Sequence, residues 1–267
     1  QVMAHAWPWL LLAVAGIAVF FHDALSALVI AWQRPEYSYG PVVPLIAGWL
    51  MLRELGRRPP VADSGSRMPG LVLVAVGLLL GLLGNLIRVS DIASYGLVIT
   101  IAGFTLTLAG TRQGLRFWPA LVMLLFMLPL PQILYLRAST GLQALSSQLG
   151  VALIDAMGIP VLLDGNVIDL GRERLQVAEA CSGLSYLFPM LSFGWLVAVL
   201  YAGPAWHRVV LVASTVPLAI LMNALRIGVI GLLASRHGIA QAEGVLHAFE
   251  GWVVFMASIA ILYGEAL

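Results

Sequence analysis

Long apolar blocks dominate the sequence, and short polar segments separate them. A membrane-spanning helix needs about 20 mostly apolar residues. Blocks of roughly that length cover residues 8–31, 38–55, 70–88, 92–110, 116–134, 182–201, 207–233 and 248–265. The second and sixth blocks are the weakest of these because Pro41, Pro44 and Pro189 lie within them, and proline removes a helical hydrogen bond. The pattern predicts an all-α polytopic membrane protein with about eight transmembrane helices.

One stretch, from about 135 to 180, departs from this pattern. Residues 138–156 are amphipathic, with leucines on one side and polar residues on another, which predicts a helix lying in the membrane interface. The leucines are Leu142, Leu145, Leu149 and Leu153, and the polar residues are Gln143, Ser146, Ser147 and Gln148.

After Gly158-Ile159-Pro160 the chain shows short β-type runs. Residues 161–163 and 167–170 flank Asp164-Gly165-Asn166, which predicts a small β-hairpin, with a third short strand from Leu175 to Val177. We therefore expect one transmembrane domain over 1–267, with an insert at about 135–180 that holds the interfacial helix and the hairpin.

Composition agrees with a membrane protein. The chain is 61% hydrophobic and 10% charged, whereas soluble domains are about 45–50% apolar and about 25% charged. The formal net charge of +1 provides no basic surface for nucleic acid. The one cysteine excludes an internal disulfide framework.

Arginine placement predicts the orientation. Arginines are enriched in the loops that follow the second, fourth and sixth blocks, and positive-inside bias puts these loops in the cytoplasm. They are Arg53, Arg57, Arg58, Arg67, Arg112, Arg116 and Arg208. Both termini are then cytoplasmic, and the insert is extracytoplasmic.

Three reactive side chains share one membrane face under this topology. Cys181 precedes the sixth block, Arg226 lies toward the outer end of the seventh, and His247 precedes the eighth. A thiolate attacks peptide carbonyls, an imidazole can protonate the leaving amine, and a guanidinium can stabilise the thiolate or an oxyanion. Each also has a plainer interpretation, because a lone Cys commonly packs, Arg snorkels and His lies at interfaces.

Seven further residues are candidates for supporting or substrate-binding roles. They are Asn223, Glu179, Glu250, Ser182, Tyr37, Ser38 and Tyr39. Asn223 lies one turn before Arg226 and could orient it, donate to an oxyanion or simply bond between helices. Glu250 could orient His247, and Glu179 could pair with Arg226. Ser182 and Ser185 are alternative nucleophiles, although no Gly-x-Ser-x-Gly elbow surrounds them.

Tyr37, Ser38 and Tyr39 could line a substrate groove or belong to an interfacial aromatic belt. No metal and no cofactor are expected. The five histidines are scattered, and no His-Glu-x-x-His motif is present.

The sequence resembles the exosortase/archaeosortase family. The resemblance rests on Glu179-Ala180-Cys181-Ser182-Gly183, on Asn223-x-x-Arg226, on His247 ahead of Gly251-Trp252, on Met127-Leu128-Pro129-Leu130-Pro131, on Leu142-Gln143, and on Gly158-Ile159-Pro160 through Gly165-Asn166-Val167-Ile168. In one departure, Ser38-Tyr39-Gly40 stands where the family often has Ser-His-Gly, so any role for a histidine there is absent.

The resemblance implies a bacterial inner-membrane cysteine peptidase or transpeptidase with Cys181, Arg226 and His247 as its active site. Its partners would be membrane-anchored proteins whose C-terminal signal contains a Pro-containing motif, a transmembrane helix and a basic tail. Cleavage would occur on the periplasmic face. Two other classes are open from the residues alone: a transporter or exopolysaccharide-export component, and a structural membrane subunit.

Overall fold

The computed structural model describes residues 2–58, 65–165, 167–171, 173–176, 184–238 and 252–265. It falls into two compact units, Gln1–Leu130 and Pro131–Leu267.

The first unit is helical throughout its described part. Its longer helices are α1 (Val2–Phe20), α2 (His22–Ala31), α3 (Val42–Arg57), α4 (Met68–Ile87) and α5 (Ser90–Ala109). Two short helices, α6 (Thr111–Gly114) and α7 (Trp118–Met123), alternate with 3₁₀ turns at Leu115–Phe117 and Leu124–Met127, and another 3₁₀ turn covers Pro35–Tyr37. The first predicted span is thus two helices, α1 and α2, with a bend of 71° at Phe21.

Helices α4 and α5 form the closest helix pair of this unit. A Cβ atom added to Gly77 would lie 2.7 Å from the Gly96 carbonyl oxygen and 2.7 Å from the Thr100 backbone nitrogen. A Cβ atom on Gly84 would lie 2.6 Å from the Ala93 backbone nitrogen. Small residues at helix interfaces let membrane helices approach closely, so the glycines of α4 set this packing.

The second unit contains α8 (Gln132–Ala156), a three-stranded sheet, α9 (Leu184–Leu200), α10 (Ala205–His237) and α11 (Trp252–Glu265). The strands are β1 (Leu162–Asp164), β2 (Val167–Asp169) and β3 (Arg174–Gln176), and both neighbouring pairs are antiparallel. The predicted hairpin and third strand are confirmed, with β3 beginning one residue earlier than expected.

The sheet packs on the C-terminal ends of α8 and α10. Ile168 is fully buried and lies in one apolar cluster with Ile154 of α8 and Ile227 and Ala234 of α10. The turn after β2 is closed by Asp169, which accepts hydrogen bonds from the Gly171 N–H at 2.8 Å and from Arg174 Nε at 2.9 Å. The Gly171 N–H, with Arg174, lowers the pKa of the Asp169 carboxyl.

Helix α8 buries the face that was expected to meet water. Gln143, Ser146 and Ser147 are buried, whereas Leu145, Leu149 and Leu153 are exposed; Gln148 is exposed and Leu142 partly buried. The polar face is the one with small residues, so it can approach α10 closely and leaves the leucines outward, as lipid would favour. The expectation that the polar face turns to water is therefore wrong for these three residues.

Three described helices, α4, α5 and α10, are long and apolar enough to cross a membrane. The number rises to five if two bent helix pairs, 11–31 and 111–156, each count as one span. The fold is thus mostly helical with a small sheet and suits a polytopic membrane protein, and the total of eight spans stays a prediction.

Candidate active site

The structure describes part of the predicted site. Arg226 and Asn223 lie within the described residues, as do Tyr37, Ser38 and Tyr39. The predicted residues outside them are Cys181, His247, Glu179, Glu250 and Ser182.

Asn223 and Arg226 lie one turn apart on α10. Asn223 is fully buried and Arg226 is partly buried. A charged side chain inside an apolar run costs about 2.5–3.5 kcal/mol on insertion scales, which makes it a functional candidate by default. The pair therefore provides a fixed positive charge and an amide on neighbouring turns of one membrane helix.

Helix α9 runs antiparallel to α10 and begins near this pair. A Cβ atom on Gly194 would lie 3.6 Å from the Leu211 carbonyl oxygen and 3.8 Å from the Thr215 Cβ. The short linker 201–204 requires the two helices to reverse direction. Gly194 is thus level with the middle of the stretch 211–215 on α10. Leu184, the start of α9, lies ten residues before Gly194, and because the helices are antiparallel it is level with the residue ten positions further along α10, which is Asn223.

Helix α11 begins at nearly the same level. The Ser214 hydroxyl donates a hydrogen bond to Glu265 Oε2 at 2.7 Å, and Leu262 shares an apolar cluster with Ala219. The later residue on α10, Ala219, thus lies near the earlier residue on α11, Leu262, so these two helices are antiparallel. Counting thirteen residues from the Ser214–Glu265 contact places Trp252, the start of α11, level with Ile227.

Helix α8 runs parallel to α10 at this level. A Cβ atom on Gly150 would lie 2.6 Å from Ile227 Cγ2 and 3.3 Å from the Ala224 carbonyl oxygen, and Gly231 packs on Ile154. One turn earlier on both helices, Ser146 and Ser147 come level with residues 220–223. The α8 serines, the start of α9 and the Asn223–Arg226 turn thus occupy one layer of the second unit.

Both serine hydroxyls are buried without a hydrogen-bond partner among the described residues. Other hydroxyls in the described helices, such as those of Thr100 and Thr215, donate to a carbonyl three or four residues earlier. An unsatisfied buried hydroxyl costs about 1–3 kcal/mol. The sequence showed these serines only as part of a polar face, and no motif marks them.

Tyr37 and Tyr39 hold the chain's own backbone in the first unit. We call Trp32, Tyr37, Tyr39 and Tyr95 the aromatic clamp, because all four bind the segment 126–130. Trp32 Nε1 donates to Met127 O at 2.9 Å, Tyr39 to Phe126 O at 2.8 Å and Tyr95 to Pro129 O at 3.2 Å, while the Tyr37 hydroxyl accepts from the Leu130 N–H at 3.1 Å. Sequence reasoning missed Trp32 and Tyr95.

Burial raises the pKa of the Tyr37 phenol above its ordinary value. Ser38 is exposed, and its hydroxyl donates to the Pro35 carbonyl oxygen at 2.9 Å. Gly40 leaves space for the Trp32 ring, since a Cβ atom there would lie 2.8 Å from Trp32 Cγ. The segment 37–40 therefore has a structural role, and substrate contact by its residues stays a prediction.

Tyr39→Phe is expected to destabilise the protein without stopping its activity. The change removes the donor to a partly buried carbonyl of Phe126, at a cost of about 1 kcal/mol. The melting temperature in detergent should fall, while processing at a permissive temperature continues. Tyr263→Phe is the matched control because Tyr263 is 60% exposed. Loss of processing by folded Tyr39→Phe protein would instead indicate substrate contact.

Among the described residues, no group of three or more His, Cys, Asp and Glu side chains could hold a metal ion. The described part of the second unit offers instead an arginine, an amide and two hydroxyls, with two helices beginning beside them. This arrangement defines a helical membrane protein with a polar layer inside an apolar bundle.

The family model described as transmembrane exosortase (Exosortase_EpsH) matches residues 32–264, which cover most of both units. The chain belongs to the transmembrane exosortase family. No curated protein and no solved structure matches the chain.

Proposed function

We propose that this chain is a membrane-embedded cysteine peptidase or transpeptidase that cleaves C-terminal sorting signals at the extracytoplasmic face of a bacterial inner membrane. Family membership supports a sorting enzyme of this class. The match spans both units, which supports one transmembrane domain with the insert at about 135–180.

The observation that carries the proposal is the common level of Arg226 and the starts of α9 and α11. Cys181 precedes α9 by three residues, and His247 precedes α11 by five. Both residues lie outside the described part of the chain. Their sequence distances from the helix starts are short enough for a thiol and an imidazole to reach the layer of Arg226.

In the proposed mechanism the Cys181 thiolate attacks the scissile carbonyl carbon. Arg226 and the amide of Asn223 stabilise the resulting oxyanion, and His247 gives a proton to the departing amine. The C–N bond breaks and a thioester remains on Cys181. Water or an amine then attacks that thioester and frees the thiol. Glu250 would orient His247, and Glu179 and Ser182 flank the nucleophile.

The proposed substrates are membrane-anchored proteins with a tripartite C-terminal signal. A transmembrane helix with a basic tail inserts with the tail inside, so the Pro-containing motif ahead of it emerges at the outer interface. Helix α8 and the three-stranded sheet lie at the same end of α10 as Arg226, and we assign them the role of substrate platform. The bilayer is the other partner, and no cofactor takes part.

A transporter or export component is the alternative. Such a protein is expected to carry charges through several span interiors. Within α4, α5 and α10 the charged residue farthest from a helix end is Arg226, which does not favour a transport path along these helices. A membrane-impermeant thiol reagent separates the classes, because a peptidase is expected to react at Cys181 from the outer side with a depressed thiol pKa.

Co-expression with an anchored substrate tests the proposal. The substrate is expected to lose its transmembrane helix and basic tail, and mass determination of the product should place the new C-terminus ahead of that helix. A mass increase by an added amine would identify transpeptidation, and addition of water would identify hydrolysis. A substrate that keeps its full mass beside the folded enzyme would contradict the proposal.

A further inference from the structure

We propose that Ser146 is a positioning residue for the active site: a rotation about its first side-chain torsion brings its hydroxyl to the amide oxygen of Asn223, where it donates a hydrogen bond and directs the amide NH₂ group toward the oxyanion. This inference rests on the proposed function and adds a residue of α8 to it. Four observations on the described residues carry it.

The first observation is the state of the Ser146 hydroxyl. The side chain is 0% exposed, and its oxygen has no hydrogen-bond partner among the described residues. Because helical serines commonly bond to their own backbone, as Ser94 and Ser235 do here, a dry hydroxyl without that bond is available to a side chain on another helix.

The second observation is the side of α8 on which Ser146 lies. Leu142, one turn earlier, packs against an apolar cluster that includes Met190 of α9 and Ala219 of α10. Residues four apart share a helix face, so Ser146 faces the junction of α8, α9 and α10. Ser147 belongs to the neighbouring face, because Val151, one turn later, packs against the cluster under the sheet.

The third observation is the direction of Asn223. Asn223 lies one turn after Ala219 and one turn before Ile227 on α10. Ala219 packs toward α9, and Ile227 packs on Gly150 of α8. A residue between these two faces points into the same junction as Ser146. Its complete burial agrees with that placement.

The fourth observation is the common level of the two residues. The contacts of Gly150 with Ile227 and of Ile154 with Gly231 fix the parallel register of α8 and α10, and Ser146 and Asn223 each lie one turn before the Gly150–Ile227 contact. A rotation of the Ser146 side chain about its first torsion then carries the hydroxyl toward the amide.

The chemistry requires such a donor. A side-chain amide presents an acceptor oxygen and a donor NH₂ group in nearly equal shapes, and its neighbours decide which points where. An amide that stabilises an oxyanion must present its NH₂ group, so a donor on the opposite side fixes the useful orientation. A hydroxyl donor on a helix face packed by glycine holds that position rigidly.

The test is a double-mutant cycle between Ser146 and Asn223. Four variants of the full chain are compared with wild type: Ser146→Ala, Asn223→Ala, the double variant and the control Ser94→Ala. Ser94 is also a buried helical serine, but it lies on α5 in the first unit and its hydroxyl donates to the Ser90 carbonyl oxygen. Turnover of a co-expressed substrate and the melting temperature in detergent are measured for each.

Ser146→Ala is expected to lower turnover by about 10–100-fold, as small misplacements of catalytic groups do, with little change in substrate affinity. In the Asn223→Ala background the same change is expected to cost nothing further. Ser94→Ala should keep wild-type turnover. The sum of the decreases in melting temperature caused by Ser146→Ala and by Asn223→Ala should exceed the decrease caused by the double variant, because each single substitution removes the same hydrogen bond.

The outcomes separate this inference from the proposed function. Additive melting-temperature shifts would overturn the Ser146–Asn223 bond whatever the turnover shows. Equal losses of turnover from Ser146→Ala and Ser94→Ala would also overturn it. Coupled melting temperatures in a protein that processes no substrate would support the bond and reject the proposed function.

Discussion

Replacing Cys181 by alanine is expected to abolish processing of a co-expressed substrate while the protein still accumulates in the membrane. The chain has one cysteine, so no other thiol can form the thioester. Arg226→Ala is expected to reduce the rate by about 10²–10³-fold, since in the proposed mechanism it removes the charge that stabilises the oxyanion. The measurement is the fraction of substrate with the shortened C-terminus, at equal amounts of enzyme in the membrane.

Two further arginine variants make this result specific. Arg226→Lys keeps the positive charge and loses the planar guanidinium, so partial activity is expected. Arg236→Ala is the matched control, because Arg236 is an exposed residue in the last turn of the same helix, and it should retain full processing. Full processing by Cys181→Ala would exclude the thioester mechanism.

Gly77→Val is expected to separate α4 from α5 and to cause a large loss of stability in the first unit. The new Cβ atom would lie 2.7 Å from backbone atoms of Gly96 and Thr100, which cannot move aside as a flexible side chain can. Overpacking typically costs about 1–3 kcal/mol and sometimes more, and a backbone collision belongs at the upper end. The melting temperature in detergent and the yield of folded protein measure the effect.

Gly48→Val supplies the comparison for this substitution. A Cβ atom on Gly48 in α3 meets nothing within 4 Å, and the change in helix propensity is the same at both positions. The Gly48 variant should therefore melt close to wild type. Equal melting temperatures for both variants would show that α4 and α5 are not in contact through Gly77.

The sequence predicted the helical architecture well because apolar length and proline position act locally. The hairpin was also predictable: Asp164-Gly165 marks a turn, and β-type runs flank it. The break at Phe21 was not predicted, because residues 8–31 form one long apolar block in which only His22, Asp23 and Ser26 are polar, and a few polar residues within a span do not by themselves mark a bend. For example, the first block contains two described helices, and the fifth contains a short helix followed by a 3₁₀ turn, so blocks and helices do not correspond one to one.

The candidate site divides in a similar way. The spacing of Asn223 and Arg226 fixes their common face, since residues three apart on a helix are neighbours. The role of Ser146 could not be read from its spacing, because a helical pattern separates two faces without telling which one meets another helix. The aromatic clamp on residues 126–130 joins segments far apart in the chain, so no local pattern shows it.

The sequence by itself determined that this is a mostly helical membrane protein and which side chains are the candidates for reactive chemistry, because hydrophobic length and side-chain type are local properties. The tertiary structure decided that α8 buries its polar face and that the starts of α9 and α11 lie beside Arg226. The physical reason is packing: small side chains on α8, α9 and α10 allow close approach only in one register, and that register is a property of helix pairs.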